Sequence, residues 1–118
     1  MKLVKIDLKL KIKENQEFSY HKSSLMQGVL MEWLDPFYVE QLHMGGFNPY
    51  SQHLEKRDGD WHWIICLFDE QAYDEIYLKV MEQNTIYLRH DKEQIDIVEK
   101  TVTCEEIEKL LSQYYFQT

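Results

Sequence analysis

Residues 23–54 read SSLMQGVLMEWLDPFYVEQLHMGGFNPYSQHL, and this stretch decides the predicted fold of the chain. Its first part places apolar residues at the spacing of one helix face, at Met26, Val29, Leu30 and Trp33. Ser24 and Gln27 have the spacing of a capping box, in which two side chains satisfy backbone N–H groups at a helix start. A helix with one buried face is therefore predicted to run to about Leu34.

A second, short helix is predicted directly after the first. Asp35 has the position of an N-cap and Pro36 that of the first helical residue, where proline needs no N–H. The pair Gly45-Gly46 is predicted to end this helix in a left-handed turn. His43 is consequently expected at a helix C-terminus, where the dipole favours the imidazolium and the glycines leave room for a ligand.

Length and composition indicate one domain, residues 1–118, because 44% of the chain is hydrophobic and 14% aromatic. The formal net charge of -8 argues against a general binder of polyanions, so any contact with RNA is expected to be local. Cys66 and Cys104 have no CxxC spacing, which indicates a reduced, cytoplasmic chain without a structural metal. No apolar run reaches the length of a membrane span, and the N-terminus lacks a signal-peptide core, so no membrane partner is expected.

Alternation and turn signals divide the rest of the chain into strands and helices. In Leu3–Lys13, apolar and polar residues alternate strictly. This pattern predicts a half-buried strand with lysines on its solvent-exposed face. The further predicted elements are a strand at Tyr50–Lys56, a turn at Asp58-Gly59, a central strand at Trp61–Phe68, a helix capped by Asp69, strands at Thr85–His90 and Gln94–Val102, and a final helix opened by Thr103 and Glu106 with Ile107, Leu110, Leu111 and Tyr114 on one side.

The order of these elements predicts an α+β fold of the ferredoxin-like, RNA-recognition type. Its β-α-β-β-α-β core would form an antiparallel sheet with the helices on one face, followed by an added C-terminal strand and helix. The residues expected to be buried together are Ile6, Leu8, Trp33, Ile65 and Ile76.

The familiar catalytic motifs do not occur. The chain contains no HExxH, P-loop, GxSxG or GxGxxG pattern, so neither a metal nor a cofactor is expected. Trp61, His62 and Trp63 have the composition of a base-stacking platform, but tryptophans on a central strand are usually core residues, and the core interpretation is favoured.

Several short motifs nevertheless occur in a characteristic order, namely Leu25-Met26-Gln27-Gly28-Val29-Leu30, Leu42-His43 before a glycine turn, Phe47-Asn48-Pro49-Tyr50-Ser51, and Val102-Thr103-Cys104-Glu105-Glu106. Together, over essentially the whole chain, they resemble the N-terminal domain of the CRISPR-associated endoribonucleases that process precursor CRISPR RNA. The resemblance implies a ferredoxin-like domain that belongs to longer, two-domain proteins, whose second domain carries a Gly-rich RNA-binding loop.

The resemblance also implies a reaction. In that family the RNA's own 2'-hydroxyl attacks the adjacent phosphate without a metal ion, leaving a cyclic phosphate and a 5'-hydroxyl. A histidine acts as general acid or base, and by position that residue is His43 in this chain. Full-length members would cut repeat RNA, whereas the isolated chain is expected to be inactive or weak.

Two positions depart from the family pattern. Met31 stands where some members have a tyrosine, and residues 44–51 contain no lysine. The nearby side chains considered as substitutes are Tyr50, Ser51, His53 and Lys56. Among them, His53 is the preferred second acid–base group and Tyr50 a further one, while Lys56 together with Arg57 is the predicted RNA contact.

Two functions thus remain open. The first is an RNA-processing nuclease domain, whose implied partners are CRISPR repeat RNA, held by a second domain, and a second copy of the chain or other CRISPR-associated proteins. A member that binds RNA without cutting it is a variant of this function. The second is a non-catalytic, acidic protein-interaction module of the same fold, presenting its open sheet face or Tyr114-Tyr115-Phe116 to another protein.

Overall fold

The computed structural model describes residues 2–46 and 48–106. The strands in this part are β1 (Lys2–Lys11), β2 (Tyr50–Arg57), β3 (Asp60–Leu67), β4 (Thr85–Leu88) and β5 (Glu93–Glu106), and the helices are α1 (Ser23–Trp33) and α2 (Pro36–Met44). A third helical segment, α3, consists of an α-helical turn (Glu70–Ala72), a π-helical stretch (Tyr73–Tyr77) and a second α-helical turn (Leu78–Met81). None of these described helices is long and apolar enough to cross a membrane.

All five strands form one antiparallel sheet in the order β2-β3-β1-β5-β4. β1 lies at its centre, where Ile6 faces Ile65 of β3 on one side and Val102 of β5 on the other. The prediction that the first strand pairs with the Trp61–Phe68 strand is confirmed. The α+β class, with an antiparallel sheet covered by helices, is confirmed as well.

The two faces of the sheet differ because side chains alternate along each strand. On one face, which we call the helical face, α1 and α3 pack against the apolar residues of β1, and Met26, Ile76 and Ile6 belong to one buried core. The opposite face, which we call the open face, carries the intervening polar residues of β1, among them Lys5 and Asp7.

The predicted core residues are found together. Ile6, Leu8, Ile65 and Ile76 are completely buried in it. Trp33 is only half-buried and packs at the margin, where the centre of its ring lies 5.7 Å from that of the buried Trp63. Trp63 is thus a core residue, as the favoured interpretation of the tryptophans predicted.

The C-terminal part of the prediction is wrong in two respects. β5 was expected as an addition to a completed core, but it pairs with β1 along the whole length of β1, and the short β4 lies at the sheet edge instead. Thr103 and Glu106 do not open a helix, because both belong to β5 and pair with Lys5 and Lys2. The remainder of that predicted helix and the aromatic residues 114–116 lie outside the described residues.

The predicted ends of the first two helices are partly corrected. Asp35 caps α2 as predicted, since its side chain accepts a hydrogen bond of 2.8 Å from the Phe37 N–H. The capping box of α1 is wrong, because the N-cap is Lys22 and the side chain of Gln27 donates to the Tyr50 hydroxyl instead. The left-handed turn after α2 is also wrong, because Gly45 is extended, with φ -79° and ψ 143°.

Candidate functional site

His43 lies in the last turn of α2, and its side chain is exposed. The position of α2 is fixed by Tyr38, which is 4% exposed and belongs to the core, so the outer end of the helix is held in place while the imidazole remains accessible. Gly46 follows at a position where an added Cβ would contact nothing within 4 Å. The imidazole of His43 is thus accessible to solvent at the end of a helix that the core holds in place.

Tyr50 and His53 lie on opposite faces of β2. Tyr50 points to the helical face, is 6% exposed, and accepts a hydrogen bond from the Gln27 side chain of α1. His53 is exposed on the open face, together with Ser51, and pairs with Ile64 of β3. The structure therefore joins Tyr50 to α1, and it places His53 on the sheet face opposite to that of Tyr50.

Lys56 and Arg57 also separate to the two faces, at the end of β2 near the hairpin turn. The Lys56 ammonium lies over the Trp61 ring, 5.7 Å from its centre. The Arg57 guanidinium donates to the Asp7 carboxylate at 3.1 Å and also contacts the Glu55 carboxylate. The hydrogen bonds that Arg57 donates, first to Glu55 and then to Asp7, raise the pKa of Arg57, and its charge is already paired with carboxylates of the sheet.

A histidine–aspartate pair on the open face was not predicted from the sequence. His62 Nδ1 lies 2.7 Å from Asp7 Oδ1, and both side chains are mostly buried. In a neutral ring, Nδ1–H would donate to the carboxylate and Nε2 would remain able to accept a proton. The signal in the sequence was Asp7, the single acidic side chain among the lysines of β1, together with a histidine between two tryptophans.

The concavity beside this pair has a volume of about 340 Å³. It is lined by Asp7, Lys9, Arg57, Asp58, Asp60, His62, Glu99 and Thr101. Four acidic side chains and two basic ones thus surround it, apart from the histidine. This balance is unfavourable for a phosphate group, and within the described residues no group of three or more His, Cys, Asp or Glu side chains is arranged to hold a metal ion.

Comparison with known proteins gives a limited similarity. No family model matches the chain. Over 61 residues the chain is 28% identical to the CRISPR-associated endoribonuclease Cas6 of Streptococcus thermophilus, and this match covers 52% of the chain and 25% of that protein. The chain is thus similar, over about half of its own length and a quarter of the other protein's length, to a protein named as a CRISPR endoribonuclease.

Proposed function

We propose that this chain is an RNA-processing domain of a Cas6-like endoribonuclease and that its substrate is CRISPR repeat RNA. The observation that carries the proposal is the similarity to Cas6 over 61 residues. The acidic net charge of -8 fits a domain that depends on a second domain to hold most of the RNA.

The chain path supports a ferredoxin-like assignment for this domain. The elements β1, α1, β2, β3, α3 and β5 follow one another in the β-α-β-β-α-β order of that fold. Their strands are adjacent as β2-β3-β1-β5, with the two helical segments on the helical face. In this assignment α2 interrupts the first crossover and β4 is an extra edge strand.

The proposed reaction needs only proton transfers at the RNA. The 2'-hydroxyl oxygen forms a bond to the adjacent phosphorus, the bond from phosphorus to the 5'-oxygen breaks, and a 2',3'-cyclic phosphate and a 5'-hydroxyl result. His43 would either accept the proton of the 2'-hydroxyl or donate one to the departing 5'-oxygen. Its exposed position at the end of a fixed helix supports this role, whereas the buried hydroxyl of Tyr50 is already hydrogen-bonded to Gln27.

Replacement of His43 in the full-length natural protein tests the proposal. His43→Ala should lower the single-turnover rate of repeat-RNA cleavage by about 10²- to 10⁴-fold, the range for loss of a general acid or base, and leave RNA affinity nearly unchanged. His90→Ala is the matched control, because it removes another exposed histidine, in the turn after β4, that belongs to no candidate site. Cleavage by His43→Ala at the wild-type rate, or abolition of cleavage by EDTA, would contradict the proposal.

A protein-interaction module is the second candidate, and the observation that favours it concerns β5. β4 pairs only with Glu93–Asp96, and residues 101–105 of β5 are all exposed in the part of the chain that the structure describes. An open strand edge can accept a strand from another protein. A chain that forms a stable complex of defined stoichiometry with a protein, yet binds no RNA at low salt, would support this function over the first.

A further inference from the structure

Three aromatic side chains gather at the end of the sheet beside the β2–β3 hairpin. The ring centre of Trp61 lies 5.2 Å from that of Phe18 and 4.8 Å from that of Tyr20, both in edge-to-face geometry. Trp61 is half-buried, whereas Tyr20 is 60% exposed. The segment between β1 and α1 thus folds back against the hairpin and leaves an aromatic surface facing solvent.

Basic side chains lie beside the Trp61 ring. Lys56 lies over the Trp61 ring, and a concavity of about 210 Å³ next to Trp61 is also bordered by Lys9 and Lys11. Asp60 is the acidic side chain of its lining, and it lies 3.5 Å from the Lys9 ammonium. This concavity therefore carries an excess of positive charge, in contrast to the one beside His62, where acidic side chains predominate.

We propose that Trp61 and Tyr20 form a stacking site for an unpaired RNA base and that Lys11 and Lys56 hold the phosphates next to that base. Aromatic rings combined with nearby cations are the usual means by which proteins bind single-stranded nucleic acid. The partner class follows from charge complementarity, because this surface is basic and aromatic within a chain of net charge -8.

The inference rests on the proposed RNA-processing function and adds a binding site distinct from His43. α2 leads into β2 at Tyr50, whereas Trp61 pairs with Lys56 close to the other end of β2. The two ends of this strand are about 23 Å apart at about 3.3 Å per residue. The stacked base therefore belongs to a different nucleotide from those at the cleavage site.

Binding of two probes to this chain tests the site without any cleavage. The probes are a fluorescein-labelled oligoadenylate and an abasic ribose-phosphate oligomer of the same length and charge, and affinity is measured by fluorescence anisotropy. Oligoadenylate should bind more tightly than the abasic oligomer. Tyr20→Ala and Trp61→Ala should each weaken oligoadenylate binding by about 5- to 150-fold, the range for loss of one base stack, while Tyr20→Phe should retain it.

Tyr87→Ala serves as the matched control, because Tyr87 is another exposed tyrosine but lies on the edge strand β4. Tyr20→Ala keeps the test valid if Trp61→Ala unfolds the chain. Equal affinity for the two probes, no binding of either at low salt, or the same affinity for Tyr20→Ala and Tyr87→Ala would overturn the proposal. If Tyr20→Ala loses binding while His43→Ala in the full-length protein still cuts normally, the stacking site stands and the catalytic proposal fails.

Discussion

Tyr38 anchors α2 to the core, and its hydroxyl is buried without a hydrogen-bond partner among the described residues. Burial, followed by the negative charges of Asp69 and Glu75, raises the pKa of Tyr38 to about 12. The folded state therefore favours the protonated phenol. This contribution to stability is fully present below the unfolded pKa of about 10 and is lost as the pH rises through about 12.

Replacement of Tyr38 by phenylalanine should make the protein less sensitive to alkali. Tyr38→Phe should leave the free energy of unfolding at pH 7 unchanged or raise it by about 1 kcal/mol, because a buried hydroxyl without a partner is removed. Urea unfolding at a series of pH values should then show a shallower loss of stability between about pH 10 and 12.

Tyr87→Phe, which changes an exposed tyrosine, is the control for alkaline sensitivity. A loss of several kcal/mol on Tyr38→Phe at pH 7 would mean that the hydroxyl has a partner, and it would contradict the prediction.

At the level of single residues, local signals could be interpreted from the sequence and distant pairings could not. Asp35 caps α2 and His43 lies in its last turn, as their spacing within one short segment predicts. Asp7 and His62 are 55 residues apart in the chain, and only the register between β1 and β3 brings them together. No spacing rule gives that register in advance, so their contact was not predicted.

Among the helices, α1 contains a residue whose replacement should be stabilising. Gly28 lies within α1, is exposed, and an added Cβ there would contact nothing within 4 Å. Gly28→Ala should therefore raise the free energy of unfolding by about 0.5–1 kcal/mol, because alanine loses less backbone entropy in a helix. Urea denaturation followed by circular dichroism would measure the change.

Gly59→Ala provides the opposite control, since Gly59 has a φ of +83° in the β2–β3 turn, where a side chain is strained. It should lower stability. If Gly28→Ala were also destabilising, the surroundings of Gly28 would differ from those described.

β5 shows why element boundaries near the C-terminus were mispredicted. Thr103 and Glu106 have the spacing of a capping box, which is a local signal for a helix start. Within the fold, the same residues continue the ladder with β1, and the β-branched Thr101, Val102 and Thr103 suit a strand. The hydrogen bonds along the whole of β1 thus stabilise a strand at these residues more than a cap of a few side chains would stabilise a helix.

For the molecule as a whole, net charge limits how this chain can bind RNA. With a charge of -8, it should bind single-stranded repeat RNA weakly and through few phosphates. If Lys11 and Lys56 each contact one phosphate, the slope of log affinity against log salt concentration should be about -1.4. Filter binding at several salt concentrations measures this slope.

Lys79→Ala on α3 should leave the salt slope unchanged, whereas Lys11→Ala should make it shallower by about 0.7. A wild-type slope of about -4 or steeper would show that a wider basic surface is involved.

Most of the strand pairing was predictable from the sequence, but the strand that pairs with the second edge of β1 was not. Alternation in Leu3–Lys13 predicted β1, and the turn signal at Asp58-Gly59 predicted the β2–β3 hairpin. The observed pairs of β1 with β3 and of β2 with β3 agree. The choice between β4 and β5 as the second neighbour of β1 was not predictable. The residue patterns of β4 and β5 are both typical of strands. Only β5 is long enough to pair with β1 along its whole length.

The central position of β1 bears on how the protein is synthesised. Of the five described strands, β1 is synthesised first, but its two neighbours are β3, which ends at Leu67, and β5, which extends to Glu106. Until β5 has been synthesised, β1 therefore has at least one unpaired edge, and such edges promote aggregation and attract chaperones. The order in which the strands are made, and not only the stability of the finished sheet, thus bears on how safely this domain folds.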